Sequence, residues 1–355
     1  MPIDLKDKRK AGGTLTERKS LLNRSKDNDK NIGAGRVSDR MKDRTSSLTE
    51  RKSTGITAGK TAAGSTGSSG ATPARGLGDY EYLKKQVLSL TRVDLNAYKE
   101  AQMKRRIDQL ITKKGLRDYQ SYINLLKSDR DAMEEFLNHF TINVSEFYRN
   151  PDQWDFMDKT VIPLLIKRFG KNLKIWSAAC STGDEPYSLV MALSKYIPLN
   201  QIRIYATDID KTIIAKAKRG IYDEKSLAGV PKEFKEKYFT KLTAKEMDAV
   251  EQIGDSDPVS TLKVAYAISD EIKSRVTFKQ ANLLEPRDYP KDYHMIVCRN
   301  VLIYFTEGAK DEVFKRFHDV LVHEGILFIG STEQITAYQK MNYGRKNSFF
   351  YERLD

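Results

Sequence analysis
The chain has 355 residues, 39% hydrophobic and 31% charged, with a net charge of +13. That is enough for two or three domains with a sizeable core, and no apolar run approaches the roughly 20 residues of a membrane span. Two cysteines, Cys180 and Cys298, are too few for a disulfide scaffold and fit a reducing cytoplasm, and four scattered histidines without a Cys-x-x-Cys offer no metal constellation.

The charge is uneven. Residues 1–78 carry 17 Lys+Arg against 8 Asp+Glu, so this segment holds +9 of the +13. It contains no Phe, Tyr or Trp, opens on "MPIDLKDKRKAGG" with no apolar core of a secretion signal, and runs into a Gly/Ser/Ala/Thr tract. Such a segment buries too little apolar surface to offset its ordering entropy, which predicts a disordered basic tail. The repeat of Leu15-Thr16-Glu17-Arg18-Lys19-Ser20 at Leu48–Ser53 fits compositional bias better than a duplicated docking peptide.

Order is expected from about Tyr80. Over 79–140, helical spacing of Leu95, Tyr98, Met103, Ile107, Leu110 and Ile111 predicts three or four short helices, with Gly115 as a C-cap and Ser128 or Asp129 as an N-cap. Lys99, Lys104, Arg105, Arg106, Lys113 and Lys114 make the helix near 94–114 basic: a solvated face, or a docking face for an acidic partner. Asn150 before Pro151 predicts a helix start and Gly170 its stop.

Strands and helices then alternate over 141–355: "LKIWSA" and a helix at 183–196, "IRIYAT" and a helix at 210–219, "RVTFKQ", "YHMIVC", a helix near 307–322, "GILFIG" and "SFFYERL". This predicts an open, mainly parallel α/β sheet with helices on both faces. An insertion at about 223–274 holds "STLKVAYAI", whose alternating Leu262, Val264, Tyr266 and Ile268 predict a half-exposed strand of a small β-subdomain. The stretch 243–260 reads as a polar loop.

Ligands of such sheets sit beyond the C-terminal strand ends. There the chain places Ser181-Thr182-Gly183-Asp184-Glu185, then Asp208, then Asn282-Leu283, then Arg299-Asn300-Val301. An acid after the second strand is the usual ribose-diol acceptor. The first turn lacks G-x-G-x-x-G and carries carboxylates, which repel a pyrophosphate. A nucleoside with a cationic far end fits instead, and S-adenosylmethionine is such a ligand. Glu185 would face its ammonium, and Arg149 its carboxylate. The competing explanations are helix-dipole complementation for Asp184 and Glu185 and a helix N-cap for Asp208.

"TINVSEFYRN", "IWSAACSTGDEPYSL", "YATDID", "NLLEP", "VCRNVLIYF" and "GSTEQI" together resemble the bacterial chemotaxis receptor glutamate methyltransferase family, CheR, over about 80–355. The resemblance implies a small all-α domain before a Rossmann-like S-adenosylmethionine-dependent methyltransferase domain with an inserted small antiparallel β-subdomain. It implies cofactor contacts at Asn143, Ser145, Arg149, Glu185, Asp208, Asn282, Leu283, Asn300 and Val301, with Arg149 and Tyr304 flanking methyl transfer. Asp184 stands where the family varies. The implied reaction esterifies receptor glutamates, giving S-adenosylhomocysteine. The implied partners are cytoplasmic domains of methyl-accepting receptors, met by a monomer recruited to receptor arrays, with no nucleic acid and no membrane insertion. Two alternatives are a nucleic-acid methyltransferase, against which stands the absence of an Asn/Asp-Pro-Pro-Tyr motif after the fourth strand, and a binding module without turnover.

Overall fold
A computed structural model describes residues 77–141, 145–251, 262–285 and 289–355. The expected tail through position 76, Asn143, and 252–260 of the expected polar loop lie outside the described residues.

The first helix starts at Leu77, earlier than the expected Tyr80. Four helices, α1 (Leu77–Thr91), α2 (Glu100–Lys113), α3 (Tyr119–Ser128) and α4 (Arg130–Phe140), form the N-terminal layer. Their shared face is apolar: Met103, Ile107, Tyr119, Tyr122 and Phe136 are all buried. The caps follow the sequence. Gly115 after α2 has φ +69. Asp129 Oδ1 accepts from Asp131 N (2.9 Å) and Ala132 N (3.1 Å), fixing the start of α4.

α5 (Pro151–Phe156) continues through a π turn, Met157–Val161, into α6 (Ile162–Phe169). The wide turn sits just before Pro163, which lacks an N–H and would crowd a regular α turn. Gly170, at φ +74, ends the run.

The remaining elements, in chain order, are β1 (Lys174–Ala178), α7 (Asp184–Leu193), β2 (Arg203–Asp208), α8 (Lys211–Arg219), β3 (Ile221–Asp223), α9 (Lys232–Tyr238), β4 (Phe239–Lys241), α10 (Ala244–Glu251), β5 (Ala265–Ile268), α11 (Asp270–Lys273), β6 (Val276–Gln280), β7 (Tyr293–Cys298), α12 (Glu307–Val320), β8 (Leu321–Ile329), β9 (Tyr343–Arg345) and β10 (Phe350–Arg353). The large sheet runs β6-β2-β1-β7-β8-β10-β9. Its first five strands are parallel, β10 pairs antiparallel with β8, and β9 pairs antiparallel with β10. Strand order reverses between β1 and β7, so a crevice opens there at the C-terminal ends.

The small sheet, β3-β5-β4, is antiparallel and lies in the chain between α8 and β6, as expected of the insertion. Two details differ. The strand covers only Ala265–Ile268, and its buried positions are the ends Ala265 and Ile268 rather than an alternating set. Tyr266 is half-buried, its ring 5.0 Å from Lys235 Nζ. The expected loop at 243–251 is instead α10. Thr243 and Glu246 make a reciprocal capping box: Thr243 N donates to Glu246 Oε2 (2.8 Å) and Glu246 N to Thr243 Oγ1 (3.3 Å).

The helical layer is fastened to the sheet by backbone and side chains. Tyr98 bridges Phe305, Lys99 N donates to Tyr304 O (2.9 Å), and Thr306 N donates to Ala97 O (2.9 Å). Thr141 Oγ1 donates to Asp210 Oδ2 (3.1 Å) and Thr212 Oγ1 to Glu134 Oε1 (2.6 Å). This docking makes the helices one wall of the crevice.

Candidate active site
The turn from β1 to α7 is built for close backbone approach. Ala179 (φ +64) and Ser181 (φ +49) adopt left-handed conformations, and Gly183 follows at φ +89. A Cβ on Gly183 would also stand 3.0 Å from Ala217 Cβ and 3.1 Å from the Tyr187 ring, so both conformation and space require glycine. Cys180 N donates to Thr207 O (2.9 Å), tying this turn to the end of β2.

Asp208 ends β2 and is 6% exposed. Its Oδ2 accepts from Ser181 N (2.8 Å) and its Oδ1 from Asp210 N (3.1 Å). The helix cap is its neighbour: Asp210 Oδ1 accepts from Thr212 N (2.8 Å) and Ile213 N (3.1 Å). The N-cap explanation therefore belongs to Asp210, and Asp208 lines the crevice with acceptor capacity to spare. Burial pushes the Asp208 carboxyl up to about 6, against the pull of those backbone N–H groups.

The two acids of the first turn part company. Asp184 is 1% exposed, takes the Thr182 hydroxyl and does not line the crevice. It is the first residue of α7, where its carboxylate complements the helix dipole. Glu185 does line the crevice. Its Oε1 accepts from Ser177 Oγ (2.8 Å), and its Oε2 lies 3.6 Å from Arg299 Nη1. Burial raises the Glu185 carboxyl and the guanidinium opposes that rise.

Arg299 was legible as a strand-end residue, though not as a member of the site. Its side chain is 2% exposed, with its guanidinium carbon 4.6 Å from the centre of the Phe328 ring. Nη2 donates to Arg149 O (2.7 Å), Asn150 Oδ1 (3.0 Å) and Gln153 Oε1 (2.8 Å). Asn150 thus serves Arg299 instead of capping α5, and its own φ is +63. One buried cation joins the Glu185 carboxylate to the backbone of Arg149.

Ser145, Arg149, Glu185, Asp208, Asn282, Leu283, Asn300, Val301 and Tyr304 all line this single crevice. Asn143 lies outside the described residues. Asn282 Oδ1 accepts from Leu284 N (3.0 Å), which shapes its loop and presents Leu283. Tyr98, Met103 and Phe140 also line the crevice and come from the helical layer. Helical spacing marked Tyr98 and Met103 as core, which they are, but spacing carries no sign of a cofactor wall shared between domains. Tyr98 packs edge-on to Phe140 (4.7 Å) and Phe305 (4.9 Å).

A second crevice adjoins the first. Arg149, Asn300 and Tyr304 line both, and Asn150, Ile303, Ser331 and Thr332 complete the second. Burial raises the Tyr304 phenol, while the positive charges of Arg106 and Arg149 lower it.

The donor set fits an adenosyl ligand with a cationic end. Asp208 suits a diol, Leu283 and Val301 are apolar, and Glu185 puts a carboxylate where a dinucleotide would need phosphate binders. Comparison with known proteins agrees. Residues 78–141 match the model for the CheR methyltransferase all-alpha domain, and residues 143–348 that for the CheR methyltransferase SAM binding domain. A chemotaxis protein methyltransferase of Listeria innocua is 36% identical over 273 residues, covering 77% of this chain and 96% of the relative. One from Borreliella burgdorferi is 28% identical (71% of this chain, 86% of the relative), and one from Escherichia coli 30% (64% and 73%).

Proposed function
The chain belongs to the CheR chemotaxis methyltransferase family, with S-adenosylmethionine as cofactor, and from this premise we propose that it methylates glutamate side chains on the cytoplasmic helices of chemotaxis receptors. The observation that carries the reading is the pair of adjoining crevices with Arg149 and Tyr304 on their common wall. One crevice has the chemistry for the cofactor; the other gives a side chain access to the same two residues.

S-adenosylmethionine, when bound, supplies a methyl group on a sulfonium, open to displacement by an oxygen nucleophile. A receptor glutamate is ionised at neutral pH, so its oxygen attacks without a general base. The histidine-poor crevice suits that chemistry. The new bond is carboxylate oxygen to methyl carbon, the broken bond is methyl carbon to sulfur, and the products are a methyl ester and S-adenosylhomocysteine.

The work of the chain is then alignment and charge placement. Asp208 accepts from the ribose hydroxyls, and Glu185 faces the ammonium. Arg299 behind Glu185 moderates the negative charge of a carboxylate that would otherwise be buried without a counter-ion. Arg149 offers its guanidinium to carboxylates at the transfer point, and the Tyr304 hydroxyl donates to the incoming glutamate. Ser145, Asn282, Leu283, Asn300 and Val301 complete the cofactor contacts, with Asn143 as their partner from the family resemblance.

The test is transfer of labelled methyl to a purified receptor cytoplasmic fragment. Wild-type protein should label the fragment, and Arg149→Ala should lower kcat by about a hundredfold or more, the scale of losing a positioned charge. The fold should survive, because the Arg149 carbonyl, which accepts from Trp154 Nε1 and Arg299 Nη2, is kept in the alanine variant. Unchanged turnover in folded Arg149→Ala would contradict the mechanism, and absent transfer by wild type would contradict the function.

A further inference from the structure
One buried carboxylate beside the site takes no part in the chemistry above. Glu333 is 4% exposed and follows Ser331 and Thr332, which line the second crevice. Its Oε2 accepts from Asn300 N (2.9 Å) and Gly330 N (2.7 Å), and its Oε1 from Leu302 N (2.7 Å). Two of these donors bracket Val301 in the turn that leaves β7. Asn300 in that turn has φ +62, a left-handed conformation that costs a non-glycine residue about 1 kcal/mol or more. The turn is therefore held from outside, by a carboxylate whose acceptors match its backbone donors.

The same turn carries functional side chains in both directions. Asn300 and Val301 line the cofactor crevice, and the short 3-10 turn Leu302–Tyr304 delivers Tyr304 to the wall shared with the second crevice. Gly330 completes the clamp. A Cβ there would lie 2.7 Å from Glu333 Oε2 and 2.8 Å from Asn300 N, so no side chain fits between carboxylate and turn.

We propose that Glu333 is a positioning residue for methyl transfer: its carboxylate sets the Asn300–Tyr304 turn so that Asn300 faces the cofactor while Tyr304 faces the acceptor. The inference rests on the roles read above for Asn300 and Tyr304. The alternative is a staple that adds stability alone. The two differ in the folded protein: a staple changes how much protein is folded, whereas a positioning residue changes how well folded protein binds and turns over.

Glu333→Gln keeps the side-chain shape but turns one acceptor into an NH2 group facing a backbone N–H. Well below its melting temperature, this variant should bind S-adenosylhomocysteine about tenfold more weakly. Its kcat on a receptor fragment at saturating cofactor should fall by about tenfold or more. Val313→Ala, a buried α12 position outside both crevices, is the stability control; it should lower the melting temperature while keeping affinity within about twofold. Gly330→Ala reaches the same carboxylate by steric pressure, so it should reproduce the affinity loss and carries the test where Glu333→Gln does not fold. Wild-type affinity and kcat in the folded variant overturn the proposal. So does a loss no greater than that of Val313→Ala. Wild-type protein that binds S-adenosylhomocysteine yet labels no receptor fragment contradicts the acceptor reading instead, and Glu333 is then still judged on affinity.

Discussion
Asp208 shows how one side chain's surroundings set a pH dependence. Burial holds its carboxyl at about 6, above the usual 3.8. In the ligand-free protein this raised value favours the protonated form. Its contribution to stability is then present at low pH and lost as pH rises through about 6. Binding has the opposite sign, since a ribose diol needs the ionised carboxylate with both oxygens accepting. Affinity for S-adenosylhomocysteine should be level above about pH 7 and fall as pH drops through about 6. Asp208→Asn should bind at least about tenfold more weakly at pH 7.5, losing charge-assisted hydrogen bonds, and should lose most of that pH dependence. Asp184 also sits near 6 but lies off the crevice, so calorimetric titration of Asp208→Asn across pH separates the two. A slope that persists in Asp208→Asn would assign the titration elsewhere.

At the scale of elements, α2 illustrates what charge counting misses. Six cations read as a solvated face or as a docking face for an acidic partner, and the fold pairs most of them within the chain. Lys104 pairs with Asp108, and Lys113 and Lys114 both reach Glu135. The Arg106 guanidinium donates to His139 O, near the C-terminal end of α4, where burial lowers its pKa. Reversing Arg105 and Arg106 together would therefore damage packing as well as charge. Arg105 is exposed, so Arg105→Glu alone is the clean probe. If α2 meets an acidic receptor, this variant should raise KM for the receptor fragment about threefold to tenfold at low salt, with the gap closing at high salt and KM for cofactor unchanged. Equal KM values for the receptor fragment in wild type and variant at low salt would return α2 to a solvated face. The same scale explains what sequence made legible. The core strands β1, β2, β7 and β8 read clearly because strands buried on both faces form near-continuous apolar runs, whereas the edge strand β6 shows alternation, with Val276 and Phe278 buried and Thr277 and Lys279 exposed. β3, β4 and β9 are three residues each and leave no period to read. The start of α10 had a sequence signal in Thr243 and Glu246, three residues apart, hidden by the surrounding polarity.

Across the whole molecule, the site is made where the helical layer meets the strand ends of the sheet. The strand-end acids were readable because the parallel fold sends each strand's last residue to one crevice, so Glu185 and Asp208 could be paired from sequence alone. Tyr98, Met103 and Phe140 were not, because no periodicity tells a helix which cavity its buried face will close. Arg299 fell between these cases: its position marked it, but its partners lie 114 and 150 residues away, at Glu185 and Arg149. The central claim concerns the bond that this assembly makes, and methyl esters, unlike methylated amides, amines or nucleobases, hydrolyse in mild alkali. Receptor fragment labelled by this protein from methyl-labelled S-adenosylmethionine should release its label as volatile methanol on brief alkaline treatment, with Arg149→Ala releasing almost none. Label that stays on the fragment after alkali, or cofactor binding with no label transferred, would contradict the account.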